Sequence, residues 1–235
     1  MNEFSFIAEN WKKVQERIIK KAEDCGRDPS EINVVAVSKG VPPEGIREAV
    51  KVGIKAIGEN RVQEAEKKIS LLSDLSCEWH MVGHLQKNKV KKAINLFSLI
   101  HSVDTFELAE ELNKYAEKEG KKVEVLLQLN LSEEPTKYGF KEEEFWKVYE
   151  KIFELKNLNV KGLMTIGPLT DDKNEVRKVF RKLYTIWEKL KENTKLSLPY
   201  LSMGMSEDFE IAIEEGANLL RLGRIIFQKD FEVGR

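Results

Sequence analysis

The chain of 235 residues is long enough for one large α/β domain, and 39 lysines and arginines against 40 acidic residues leave a net charge of −1. That balance supplies no field for nucleic acid or an anionic membrane, so any bound anion needs a local site. No apolar run approaches membrane-spanning length, and Cys25 and Cys77 have neither metal-ligand spacing nor a redox motif, which points to a reduced pair in a cytoplasmic protein.

The opening stretch "MNEFSFIAENWKKVQERIIKKAEDCGRD" mixes acids and bases on an amphipathic pattern and predicts a helix rather than a signal peptide. Short apolar runs then alternate with longer amphipathic stretches. Strands are expected at 32–38, 56–59, 78–82, 99–102, 123–129, 160–165, 200–202 and 219–222. Helices are expected at 43–52, 61–72, 86–95, 105–119, 141–155, 174–193 and 206–214, with Gly53, Gly120 and Gly216 as C-caps. Every strand but the last precedes a helix, which predicts a single (β/α)8 TIM barrel with an extra N-terminal helix over residues 1–235. A doubly wound open sheet is the alternative. Against it, no glycine-rich dinucleotide turn follows any strand and no composition break divides the chain.

In such a barrel the chemistry gathers where the strands end. Strand one ends in "AVSKG", where alternation puts Lys39 on the face of Val35 and Val37, at the rim. Two readings fit: a partly desolvated amine able to attack an aldehyde, or the start of a solvated loop. "SMGMSEDFEIAIEEG" reads as a loop delivering a helix N-capped by Ser206, with Gly204 leaving room for a ligand. That arrangement suits a phosphate or is ordinary capping, and Glu207 and Asp208 would repel a dianion. Gly223, after strand eight, could add close-approaching amides. Arg221 shares the face of Leu219 and needs an acceptor, either a ligand or a carboxylate such as Glu59. His80 alternates inward on strand three, a position more usual for a core histidine than for a catalyst. His84 and His101 lack metal spacing, and no metal is expected. "QKNKVKK" reads as a solvated helix face.

Taken together, "AVSKG", "IGENRVQE", "WHMVGHLQKNK", "HSVD", "GLMTIG", "LSMGMSEDFEIAI" and "LLRLGRIIF" resemble the YggS/PROSC family of pyridoxal phosphate homeostasis proteins. The resemblance runs from the first strand onward. It implies a fold like the N-terminal barrel of alanine racemase and pyridoxal 5′-phosphate as cofactor, carried by Lys39 as an internal aldimine. It also implies phosphate contacts from Ser206, the loop of Ser202 and Gly204, and the amides of Gly223 and Arg224, with Arg221 facing the pyridine nitrogen. Asn60 and His80 complete the candidate cofactor-binding set, and no catalytic residue is assigned. The chain departs from the family at Arg224 and Gln228, where a small residue and a glycine are frequent.

A cation opposite the ring nitrogen discourages its protonation and weakens the electron sink. The expectation is therefore a carrier without significant turnover, monomeric, passing its cofactor to apoenzymes. Alternatives are a weak amino-acid racemase, for which no segment remains to supply a second acid/base domain, and a Schiff-base aldolase using a rim lysine.

Overall fold

The computed structural model describes residues 3–132, 134, 137–229 and 231. Helix α1 (Phe6–Asp24) leads into the strands β1 (Asn33–Val37), β2 (Ala56–Glu59), β3 (Glu78–Met81), β4 (Leu99–Val103), β5 (Val123–Leu129), β6 (Leu158–Thr165), β7 (Tyr200–Ser202) and β8 (Leu219–Leu222). All pair in parallel and in chain order, and β8 returns to β1 with Val35 beside Arg221, closing the barrel. Between strands run α2 (Pro43–Lys51), α3 (Val62–Leu71), α4 (Val90–Leu96), α5 (Phe106–Lys118), α6 (Glu142–Phe153), α7 (Lys173–Thr194) and α8 (Phe209–Glu214).

Period-two alternation splits each strand between two cores. Val35, Ala56, Val82, Leu99, Leu126, Met164 and Leu219 fill the barrel, while Ala36, Ile57, Ile100 and Val125 face outward against helix residues such as Ile46, Leu112, Phe145 and Phe180. Full burial of one such large side chain stabilises the fold by about 1.5–3 kcal/mol.

Helices α2, α5 and α8 end at the expected glycines. Gly53, Gly120 and Gly216 take φ of 97°, 63° and 96°, a conformation costly for residues with a Cβ. The amide after each folds back on its helix, Ile54 N to Ala49 O at 3.1 Å, Lys121 N to Ala116 O at 3.0 Å and Ala217 N to Ala212 O at 2.8 Å.

Two differences from expectation bear on the site. Helix α8 begins at Phe209, not at Ser206, because Asp208 Oδ1 accepts from Met205 N at 2.5 Å and holds a turn ahead of it. A short helix, α9 (Arg224–Phe227), follows β8, where none was expected.

Helix α1 packs on these two helices. Ile7, Val14, Ile18 and Ala22 form its buried stripe. Asn10 Nδ2 donates to the carbonyls of Ile226 and Gln228, each at 3.1 Å, and Arg17 Nε to Glu210 Oε1 at 2.8 Å. The guanidinium of Arg17 also lies 4.7 Å from the ring centre of Phe209. The N-terminal helix thus braces the elements that follow β7 and β8. No helix among the described residues is long and apolar enough to cross a membrane.

Candidate functional site at the barrel mouth

Lys39 follows β1 directly. Val35 lies in the inner core and Val37 packs on it, which carries the alternation to Lys39 at the rim. The residue before it is tightly held. Ser38 N donates to Gly58 O at 2.9 Å, Ser38 Oγ to Glu59 Oε1 at 2.5 Å, and Lys68 Nζ to Ser38 O at 2.7 Å and Glu59 Oε1 at 2.5 Å. Lys39 itself is exposed, not partly desolvated, and it enters a turn at Gly40, whose φ is 73°. Among the described residues it has no hydrogen-bonding or ionic partner. Glu59 points outward to α3, so it is not the acceptor for Arg221.

The loops after β7 and β8 meet beside this lysine's strand. Ser206 is buried, and its Oγ accepts from Ile225 N at 3.3 Å, so it caps α9 rather than α8. The amides of Gly223 and Arg224 make no backbone hydrogen bond among the described residues. Gly204 takes φ of 95°, and a Cβ there would fall 2.6 Å from Ala212 Cβ, so only glycine lets this loop lie against α8. The acids expected to repel a dianion are engaged locally, Glu207 with Arg224 Nη2 at 2.8 Å and Asp208 with Met205 N. That pairing turns the Arg224 side chain outward and leaves its amide to the loop.

Arg221 lies inside the barrel, buried. Its Nη1 donates to Ser202 Oγ at 2.6 Å and its Nη2 to Thr165 O at 2.8 Å. Burial pulls its pKa down to about 10, with Asp208 pulling the other way, so it stays cationic near neutral pH. The level of Arg221 on β1 is Val35, four residues below Lys39, or about 13 Å along the strand.

Two members of the expected set sit deeper than the sequence implied. Ser202 faces Arg221 and His101, with His101 Nδ1 3.2 Å from its Oγ, so its hydroxyl belongs to the barrel interior and not to the phosphate loop. His80 lies beside Gly58 and Leu99 on the neighbouring strands, and its nitrogens face His101 Nε2 at 3.1 Å and Glu78 Oε2 at 3.2 Å. Among the described residues its hydrogen bonds lead to Arg221 through His101 and Ser202. Asn60 remains at the mouth, its backbone packed against Gly83, where a Cβ would fall 2.5 Å from Asn60 O. Thr165 and His101 were not singled out for this site from sequence, and Asp208 only as an acid beside the phosphate loop; hydrogen bonds across the fold reveal their places.

The set suits a phosphorylated aldehyde: an amine unpaired among the described residues, a serine hydroxyl with free amides beside a glycine-lined loop, and a fixed cation deeper in the barrel. These residues fit pyridoxal phosphate. The model of the alanine racemase N-terminal domain matches residues 5–229. A pyridoxal phosphate homeostasis protein of Aquifex aeolicus is 45% identical over 219 residues, 93% of this chain and 96% of that protein. The chain belongs to the pyridoxal phosphate homeostasis protein family. Among solved structures, PipY of Synechococcus elongatus with pyridoxal phosphate bound matches this family member with a TM-score of 0.84 and 35% identity, covering 94% of this chain and 99% of that one. Alanine racemase of Clostridium difficile, 17% identical, covers 94% of this chain and 58% of its own with a TM-score of 0.72, a likeness of fold alone.

Proposed function

We propose that the protein is a pyridoxal 5′-phosphate carrier of the cytoplasm that holds the cofactor on Lys39 as a Schiff base and turns over no substrate to a significant extent. Bound pyridoxal phosphate supplies an aldehyde carbon and an electron-withdrawing ring. The chain's own part is to bind and to restrain. Ser206, the Gly204 loop and the amides of Gly223 and Arg224 hold the phosphate, Asn60 flanks the mouth, and Arg221 faces the ring nitrogen.

The observation that carries this reading is Arg221, a buried cation anchored by Ser202 and Thr165 with no carboxylate hydrogen-bonded to it among the described residues. A cation there keeps the ring nitrogen unprotonated and limits carbanion stabilisation. Support for the cofactor comes from the PipY structure and the family's curated members, which are named for it. The carrier acts as a monomer and hands its cofactor to apoenzymes.

Purified protein mixed with pyridoxal phosphate should show the visible absorbance of a Schiff base and no measurable racemisation of added amino acids. Absence of that absorbance would leave an aldolase-type lysine as the better reading. Full racemase activity would show that a second acid/base lies within this chain.

A further inference from the structure

A continuous polar chain runs through the barrel interior from Glu78 to Arg221. It begins at Glu78, exposed at the start of β3, and passes through His80, His101 and Ser202 to Arg221. His80, His101 and Ser202 are all buried, so each polar atom in the chain depends on its neighbours for a partner.

The chemistry at the two ends allows one arrangement of protons. A carboxylate only accepts, so His80 Nε2 carries a proton toward Glu78. Burial lowers the pKa of His80, against the pull of Glu78, and lowers that of His101 well below the ordinary value, so both rings are neutral and each has one N–H. His80 Nδ1 is then an acceptor, and His101 Nε2 must donate to it. His101 Nδ1 is left to accept, and the buried Ser202 hydroxyl donates to it. At the other end a guanidinium only donates, and Arg221 gives its Nη1 proton to the lone pair that Ser202 leaves free.

We propose that His101 and His80 are positioning residues for Arg221, forming with Glu78 and Ser202 a one-way hydrogen-bond chain that presents only acceptors to the guanidinium. Every bond points its negative end toward Arg221, which keeps the cation in place despite its burial. The consequence for a bound cofactor rests on the carrier reading above, whereas the chain itself does not. Reversing or breaking the chain leaves the buried Ser202 hydroxyl proton without an acceptor and turns its dipole against Arg221, which loosens the guanidinium from its place at the ring nitrogen.

The test has two arms. Nitrogen-15 chemical shifts of the histidine side chains, in the full chain without added cofactor near neutral pH, should report the Nε2–H tautomer for both His80 and His101. A Nδ1–H tautomer or an imidazolium at either residue overturns the proposal. In the second arm, His101→Gln can donate to His80 and accept from Ser202, whereas His101→Leu can do neither. His101→Leu should weaken pyridoxal phosphate binding about tenfold, as for a lost hydrogen bond to a charged group, and shift the absorbance of the bound cofactor. His101→Gln should restore both. A folded His101→Leu with unchanged affinity and spectrum, or a His101→Gln that is as impaired as His101→Leu, contradicts the chain. If His101→Leu does not fold, the tautomers and His101→Gln decide. Failure of the unaltered protein to bind pyridoxal phosphate would sink the carrier reading, while the tautomers would still decide the chain.

Discussion

Arg221 is a buried cation held by neutral acceptors, and that makes it the residue on which reactivity turns. Arg221→Glu would place a carboxylate near the ring nitrogen, favour its protonation and improve the electron sink. The absorbance of bound cofactor and its pH titration should shift, with a modest gain in α-proton exchange on added amino acids. An unchanged spectrum and titration would show that Arg221 does not face the ring. Ser202→Ala strips an acceptor from Arg221 and should cost about 1–3 kcal/mol in urea unfolding, since buried donors are left unpaired. At this scale the sequence was informative where alternation alone decides, as for Arg221 and Lys39. It was not for His101 or for Glu59, because their partners depend on which residues of neighbouring strands lie side by side. Spacing along one chain does not report that.

The elements after β7 and β8 owe their place to what packs outside them. Phe209 is fully buried under Arg17 of α1 and supports the Gly204 loop, since a Cβ on that glycine would fall 3.1 Å from Phe209 Cα. Phe209→Ala should destabilise the protein by about 3–5 kcal/mol in thermal or urea unfolding. A second support is ionic. Arg177 Nη1 and Arg181 Nε on α7 reach Glu215 at the end of α8, at 2.8 and 2.7 Å. Burial pushes the Glu215 carboxyl up, but the two arginines outweigh it and hold its pKa below the ordinary 4.5. A depressed folded-state value contributes stability above the unfolded value, and that contribution is lost as pH falls through the folded one. Melting temperature should therefore drop below pH 4.5, and Glu215→Gln should show a smaller drop over that range. An identical acid profile in the variant would remove the clamp from the account. The late start of α8 was hidden because "SED" suits a helix N-terminus at several registers, and Asp208 chose among them by bonding Met205 N. Helix α9, four residues of "RIIF", is too short to show a period.

At the scale of the whole molecule, the eight strands were legible because each is a short apolar run between helices whose glycine caps punctuate the chain. Closure into a barrel was expected from the count of eight together with the lack of a glycine-rich dinucleotide turn, and the pairing of β8 with β1 removes both edges. Sedimentation should find a monomer with and without pyridoxal phosphate. A tight dimer donating an arginine or tyrosine into the partner's mouth would favour an enzyme instead. The central claim is that Lys39 holds the cofactor covalently, and borohydride reduction followed by peptide mass mapping tests it most directly. Protein loaded with one equivalent of pyridoxal phosphate should carry the reduced adduct on Lys39, and Lys39→Ala should carry none while keeping weaker noncovalent binding. An adduct of equal yield on another lysine, in either protein, or no adduct at all, would contradict it.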